Sequence, residues 1–186
     1  MNYTISDTHF YHNNIINYCD RPFKNTTEMN NYIIEKWNQV VKEDDTIYHL
    51  GDFAIGWDKE NYQTKKECYK DLMTKLNGNK ILIKGNHDWE SNNFYLDIGF
   101  KEVYDYLIIN NNLLIHYPII INKKSLSYIK DELKLFLNQF NIDEYRNIFH
   151  GHIHNSNYKP KKHINVSIEN INYTPLCIDE YIKEIF

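Results

Sequence analysis

The chain has 186 residues, which is enough for one hydrophobic core and too few for two ordinary domains. Hydrophobic residues make up 42% of it and charged residues 25%, a composition that excludes an intrinsically disordered protein. The formal net charge of −4 at pH 7 argues against a protein held to nucleic acid by bulk charge. We therefore expect one globular domain over residues 1–186.

The cysteines and the N-terminus bear on location. Cys19, Cys68 and Cys177 are scattered and odd in number, so they predict neither a disulfide framework nor a cysteine metal site. The opening MNYTI has neither the basic region nor the apolar segment of a signal peptide, and no run approaches the roughly 18 apolar residues of a membrane span. We expect a cytoplasmic protein without membrane contact, and the sequence leaves the oligomeric state open.

In the first half of the chain, short apolar strands alternate with amphipathic helices. Apolar residues recur at helical spacing between residues 25 and 41, and Asn25 with Glu28 predicts an N-terminal cap for that helix. The predicted strands are residues 3–6, 46–50 and 80–84, and the predicted helices are residues 25–41 and 61–76.

In the second half, strands cluster. Asn110-Asn111-Asn112 lies between two apolar runs and predicts a hairpin turn. The predicted strands are residues 104–109, 113–115, 147–150, 164–168 and 176–178, and the predicted helices are residues 127–140 and 179–185. Alternation followed by clustering predicts an α/β fold, a four-layer αββα sandwich of two mixed β-sheets flanked by helices.

Polar motifs follow the predicted strands. They are Asp7-Thr8-His9, Gly51-Asp52, Gly85-Asn86-His87-Asp88, His116-Tyr117-Pro118 and Gly151-His152-Ile153-His154. Ligands of α/β folds gather at the carboxyl ends of strands, so we expect these side chains to meet there. One residue separates Asp7 from His9, and alternation along an extended segment predicts that both face one metal ion. His152 and His154 share this spacing.

The donor types suit divalent cations. Imidazole binds Zn, Fe, Mn or Ni, and carboxylate and amide oxygens bind harder cations. The two oxygens of Asp52 could bridge a pair of ions, and Asn86 offers a neutral carbonyl oxygen. A pair of ions about 3.5–4 Å apart can hold a hydroxide and clamp the oxygens of a phosphate.

Together the motifs resemble those of the calcineurin-like metallophosphoesterase superfamily. They run from Ser6 to His154, which is most of the chain. The opening Ser-Asp-Thr-His-Phe of residues 6–10, the Arg-Pro-Phe of residues 21–23 and the Ile-Lys-Gly-Asn-His-Asp of residues 83–88 resemble small stand-alone bacterial and phage members in particular.

The resemblance implies a two-metal hydrolase in which a bridging hydroxide attacks phosphorus. It implies that one ion is bound by Asp7, His9 and His154, the other by Asn86, His116 and His152, and both by Asp52. It also implies that His87 is the catalytic acid, which protonates the leaving oxygen or stabilises the transition state. Manganese is the first expectation for the metal, with iron, zinc and nickel open.

One departure from the family pattern concerns substrate. Members that act on phosphoproteins carry Asp-Arg-Gly shortly after the Gly-Asp, whereas Phe53-Ala54-Ile55-Gly56 follows Gly51-Asp52 here. We therefore expect small organic or nucleotide phosphates rather than proteins, and favour diesters over monoesters. Two alternatives are a nuclease acting on DNA or RNA, against which the net charge argues, and a catalytically silent binding module of the same fold.

Three further features have open roles. His12 and Arg21 follow the first ligand pair and could face substrate, and an arginine can hold a phosphate through two hydrogen bonds. The alternative for Arg21 is a structural Arg-Pro-Phe turn. Residues 119–145 form an added helix or a lid, and we favour the added helix.

Overall fold

The computed structural model describes residues 1–119, 131–157 and 159–183. Within these residues nine strands form two sheets. The first sheet contains β1 (Asn2–Ile5), β2 (Thr46–His49), β3 (Asn79–Ile83), β4 (Glu102–Tyr104) and β9 (Leu176–Cys177), in the order β4-β3-β2-β1-β9. Strands β1 to β4 are parallel to their neighbours, and β9 runs antiparallel to β1.

The second sheet has four strands in the order β5-β6-β7-β8. These are β5 (Tyr106–Ile109), β6 (Asn112–Ile115), β7 (Asn147–His150) and β8 (His163–Asn165). Strand β5 is antiparallel to β6, and the remaining pairs are parallel, so both sheets are mixed.

Six α-helices and a short 3-10 helix (Ile142–Glu144) accompany the sheets in the described part of the chain. The α-helices are α1 (Asn13–Tyr18), α2 (Thr26–Val40), α3 (Lys65–Lys75), α4 (Asn92–Ile98), α5 (Asp131–Asn138) and α6 (Asp179–Ile182). The predicted cap of α2 is confirmed, since the Asn25 side chain accepts the backbone N–H of Glu28. Helix α3 begins later than predicted because Thr64 and Glu67 form a reciprocal capping box.

Three hydrophobic clusters define the layers. Trp37 and Leu72 of the helices pack with Ile5 and Leu82 on the outer face of the first sheet. A second cluster lies between the sheets and joins Leu50, Ile83, Leu114 and Phe149, among others. A third places Leu133 and Phe136 of α5 against Leu113 and Ile148 on the far face of the second sheet. Helix, sheet, sheet and helix follow in that order, which confirms the predicted αββα sandwich.

The chain passes from one sheet to the other at Asp105. The sequence predicted one strand over residues 104–109, but β4 ends at Tyr104 in the first sheet and β5 begins at Tyr106 in the second. The hairpin prediction is confirmed: Asn110 and Asn111 have φ values of 46° and 60°, and β5 pairs with β6 across them.

The other differences are at short or partly described elements. Helices α1 and α4 were not predicted, because six and seven residues are too few for a clear apolar period. The described part of residues 119–145 contains α5, which packs on the second sheet as an added helix would. Residues 120–130 of that stretch, including positions 127–130 of the predicted helix, and residues 184–185 of the predicted C-terminal helix lie outside the described residues. None of the described helices combines the length and apolar character needed to cross a membrane.

Candidate metal centre

The loops after β1 and β2 run side by side. The backbone N–H of Asp7 donates to the carbonyl of Gly51, and that of His9 donates to the carbonyl of Asp52, each at 3.0 Å. Asp7 and His9 have φ values of 58° and 49°, in the left-handed region. We predicted an extended segment here, and that prediction is wrong. Left-handed turns at Asp7 and His9 direct both side chains to one place.

The loop after β7 is built in the same way and packs against the first. His152 and His154 also have positive φ, at 71° and 45°. The backbone N–H of His152 donates to Oδ2 of Asp7 at 2.9 Å. A Cβ atom on Gly151 would lie 2.2 Å from that same oxygen, so only glycine permits this approach.

Asp7, His9 and His154 form a first cluster. Oδ1 of Asp7 lies 3.9 Å from Nε2 of His9 and 3.8 Å from Nε2 of His154. Both Oδ1 of Asp7 and Nε2 of His9 are buried without a hydrogen-bond partner among the described residues. Buried polar atoms without partners are costly, and an ion bound between them would satisfy both. The three side chains therefore fit a metal ion.

Asn86, His116 and His152 form a second cluster. Oδ1 of Asn86 lies 3.0 Å from Nε2 of His116 and 2.9 Å from Nδ1 of His152. Nδ1 of His116 donates to the carbonyl of Leu50 at 2.7 Å, which turns Nε2 of the ring inward. This second set also offers nitrogen and oxygen donors at one point.

Asp52 lies between the two clusters. Its Oδ2 is 3.5 Å from Nε2 of His9 and 3.6 Å from Nε2 of His116. All seven side chains that the sequence analysis selected as metal ligands thus meet at the carboxyl ends of β1, β2, β3, β6 and β7. One carboxylate oxygen therefore lies within 3.6 Å of a donor atom from each cluster.

The electrostatics of the site favour added positive charge. Burial raises the pKa of Asp52 to about 7; His116 opposes this shift, and Asp7 and Asp88 add to it. Burial would lower the pKa of His154, but hydrogen bonds with Cys19 and Glu169 and the charge of Asp7 raise it to about 10. The carboxylates that hold a proton on this histidine would equally attract a metal cation.

His87 lies beside the first cluster. Its ring centroid is 5.6 Å from that of His9, and its backbone N–H donates to Oδ1 of Asp52 at 2.9 Å. Its Nδ1 has no hydrogen-bond partner in the described part of the chain. Burial, in the first place, and then His116 lower the pKa of this imidazole. The ring is near the candidate ligands without being held by any of them.

Asp88 fixes the backbone of the site. Its carboxylate accepts the N–H groups of Asp52 at 2.7 Å, Gly85 at 2.8 Å and Phe53 at 3.2 Å. It is bound to backbone amides and not to the ring of His87. Asp88 therefore joins the loops after β2 and β3, which carry Asp52 and Asn86.

Arg21 lies behind the first loop. Its side chain is fully buried, and its guanidinium donates to the carbonyls of Asp7 at 2.7 Å and Thr8 at 3.0 Å and pairs with Glu169 at 2.7 Å. These contacts give Arg21 the structural role that the sequence left open as an alternative, in which it supports the first loop; its contact with substrate stays a prediction. His12 does lie at the site, with Nδ1 3.3 Å from Nδ1 of His9, and its substrate contact stays a prediction.

Sequence reasoning missed Glu169. Its Oε1 accepts from Nε of Arg21 at 2.9 Å and from Nδ1 of His154 at 3.1 Å. Cys19 lies in the same group, with its sulfur within 4.8 Å of donor atoms of His154 and Glu169. No local pattern indicates this role, because Glu169 is 148 residues from Arg21.

Comparison with models of protein families identifies the family of this chain. The sequence model of the calcineurin-like phosphoesterases matches residues 3–148. The chain belongs to the calcineurin-like phosphoesterase family. The match includes five of the seven candidate ligands and His87, and it ends before His152 and His154.

Two known proteins are similar to this calcineurin-like chain over nearly its whole length. The uncharacterized protein MJ1445 of Methanocaldococcus jannaschii is 38% identical over an alignment of 193 residues that covers 98% of this chain and 90% of that protein. The crystal structure of AQ665 from Aquifex aeolicus, a protein of unknown function, has 31% identity and a TM-score of 0.70, and the similarity covers 97% of both chains. Neither description names a substrate.

Proposed function

We propose that this protein is a metal-dependent phosphoesterase that uses two divalent ions to hydrolyse small organic or nucleotide-type phosphoesters, with diesters preferred to monoesters. Membership of the calcineurin-like phosphoesterase family supports the reaction class. The observation that carries the two-ion proposal is the position of Asp52, whose Oδ2 lies 3.5 Å from a donor of one cluster and 3.6 Å from a donor of the other.

The proposal assigns each side chain one task. One ion would be held by Asp7, His9 and His154, the other by Asn86, His116 and His152, and both by Asp52. Such ions supply Lewis acidity to the phosphoryl group and lower the pKa of water, and manganese is the first candidate, with iron, zinc and nickel as alternatives.

The protein groups around the ions orient the substrate and the ligands. His87 would donate an imidazole N–H to an oxygen of the reacting phosphate or of the leaving group. Glu169 and Leu50 each accept the Nδ1 proton of a histidine, and this leaves Nε2 of His154 and of His116 directed inward.

The preference for diesters follows from charge. A phosphate monoester brings up to two negative charges, whereas a diester brings one. Arg21 is already engaged by Glu169 and two carbonyls, so its charge is not free for a second phosphate oxygen. The second negative charge of a monoester therefore gains no ion pair with Arg21, and on this ground we favour diesters.

A metal and substrate screen tests the function. The protein is stripped with a chelator, reloaded with Mn²⁺, Fe²⁺, Zn²⁺ or Ni²⁺, and assayed with bis(p-nitrophenyl) phosphate, p-nitrophenyl phosphate, cyclic nucleotides and single-stranded DNA. We expect metal-dependent turnover that is fastest with a small diester. Absence of turnover with every metal in a folded sample would favour a binding role, and DNA as the best substrate would favour a nuclease.

A further inference from the structure

Trp89 is an exposed aromatic side chain beside the candidate catalytic residue. It follows His87-Asp88 directly, and 72% of its surface is accessible. Its ring centroid lies 5.5 Å from that of His87 in a T-shaped contact. His87 in turn lies 5.6 Å from His9, so the rings of His9, His87 and Trp89 lead from the metal cluster to the surface.

The turn that carries Trp89 is fixed on both sides. Before it, the buried carboxylate of Asp88 accepts the N–H groups of Asp52 and Gly85 at 2.7 and 2.8 Å. After it, the carbonyl of Glu90 accepts from Nζ of Lys84, and its carboxylate pairs with Lys65, each at 2.6 Å. The exposed indole is therefore presented by a backbone that is already ordered, and binding to it loses little backbone entropy.

The environment of Trp89 differs from that of the other tryptophans. Trp37 is fully buried in the core, and Trp57 is partly buried against the same cluster. Among the described residues, His87 is the one whose ring contacts Trp89. That contact is T-shaped, so the two rings are not stacked face to face. An aromatic group of a ligand can therefore stack on the indole.

We propose that Trp89 is a stacking platform for the nucleobase of a nucleotide phosphoester whose phosphate is bound beside His87. The proposal rests on the proposed function and names its substrate class. In a nucleotide, a sugar separates the base from the phosphate, so a phosphate next to His87 leaves the base within reach of the neighbouring residue. Every base has a π-face, so stacking gives a preference for nucleotides without requiring one base.

Tryptophan fluorescence tests the binding directly. Zinc-loaded protein is titrated with AMP and, separately, with ribose 5-phosphate, which lacks the base. We expect AMP to quench emission strongly and ribose 5-phosphate to quench it weakly. Trp89→Phe should abolish the difference between the two ligands, and Trp57→Phe, the matched control, should keep it. A difference that survives in Trp89→Phe would overturn the proposal, as would equal quenching by both ligands in the unchanged protein.

Two esters with a common leaving group test the same proposal in turnover. They are thymidine 5′-(p-nitrophenyl phosphate) and ethyl p-nitrophenyl phosphate, assayed with manganese-loaded protein. Trp89→Ala should lower kcat/KM for the nucleoside ester by about 5- to 150-fold, the range of base–aromatic stacking in alanine substitutions. The ethyl ester should change by less than about 2-fold.

Tyr18→Ala is the control, because Tyr18 is also 72% exposed but has its ring next to His12, at 6.3 Å, instead of His87. It should leave the ratio of the two substrates unchanged. Equal losses on both esters in Trp89→Ala, or the same ratio change in Tyr18→Ala, would overturn the role of Trp89 while the phosphoesterase function stands. If the unchanged protein hydrolyses neither ester, the proposed function is wrong. The binding role of Trp89 is then still decided by the fluorescence titration.

Discussion

Nδ1 of His154 donates to Oε1 of Glu169 at 3.1 Å, and the other nitrogen of the same ring lies 3.8 Å from Oδ1 of Asp7. The same Oε1 also binds Arg21, whose guanidinium holds the carbonyls of Asp7 and Thr8. One carboxylate thus sets the orientation of a candidate ligand and supports the loop that carries two others. Carboxylates that fix ligand histidines in this way tune metal affinity in many proteins.

Glu169→Gln should weaken the binding of metal at the first cluster by about 10- to 100-fold. At limiting metal, elemental analysis should find about one ion per chain where the unchanged protein holds two, the stoichiometry that a two-metal site implies. The change also weakens the ion pair of buried Arg21, which lowers thermal stability. The midpoint of thermal unfolding is therefore recorded, and metal affinity is measured well below that temperature. The control is Glu180→Gln, an exposed glutamate that pairs with Lys183. Equal metal affinity in the two variants would contradict the role of Glu169.

Asp88→Asn should destabilise the fold. The Asp88 carboxylate is buried and accepts three backbone N–H groups through its two oxygens. An asparagine has one side-chain oxygen, so its NH2 group would face at least one of these N–H donors. The free energy of unfolding in urea should fall by about 2–3 kcal/mol. Asp58→Asn is the control, since Asp58 also accepts backbone N–H groups, from Glu60 and Asn61, but in an exposed turn. Its cost should stay below about 1 kcal/mol, and equal losses would show that the buried amides gain nothing from Asp88.

His87→Ala should lower turnover by about 10²- to 10⁴-fold, the usual effect of a positioned acid. Metal content, measured by elemental analysis, should be unchanged, because His87 is not one of the seven candidate ligands. His163→Ala, which alters a half-buried histidine of β8, is the control and should keep most of the activity. Full activity in His87→Ala, or loss of metal from it, would show that the assigned role is wrong.

Lys80 makes stability depend on pH outside the metal centre. Its Nζ donates to the carbonyls of Met73 and Leu76 near the end of α3, and burial lowers its pKa from 10.5 to about 8. Between about pH 8 and pH 10.5 the folded protein releases a proton that the unfolded chain keeps, so this residue's contribution to stability rises with pH. At 1.36 kcal/mol per pKa unit the full shift corresponds to at most about 3–4 kcal/mol.

Comparison with Lys80→Met isolates this effect, because the tyrosines that titrate at high pH are present in both proteins. The free energy of unfolding of the unchanged protein, relative to the variant, should increase from pH 7 to pH 10 in urea denaturation. A constant difference would contradict the lowered pKa, and a decrease would reverse its sign.

The proximity of the candidate ligands could be predicted from the sequence because each of them follows a strand. Apolar runs locate β1, β2, β3, β6 and β7. Parallel pairing brings the carboxyl ends of β1, β2 and β3 to one edge of the first sheet and those of β6 and β7 to one edge of the second. The approach of Asp7 to Asp52 follows from this pairing, whereas the approach of His116 to both depends on how the two sheets pack. Helix α2 was predictable for a similar reason, since its period and its Asn25 cap are both local.

What the sequence misses depends on distant contacts or unusual backbone. Nothing around Arg21 indicates that its partner is Glu169, so the sequence could not decide between a substrate contact and a structural role for this arginine. Left-handed conformations at Asp7 and His9 are rare for residues other than glycine, and extended geometry was assumed in their place. The division of residues 104–109 at Asp105 lacks the glycine or proline that would indicate a break.

Anomalous X-ray diffraction from crystals of the manganese-loaded protein tests the metal centre most directly. We expect two anomalous peaks about 3.5–4 Å apart, with the Asp52 carboxylate in contact with both. Crystals of Asp52→Asn grown with the same metal should lose at least one of the two peaks. Peaks that lie away from these side chains, or a single ion without contact to Asp52, would contradict a two-metal centre bridged by Asp52.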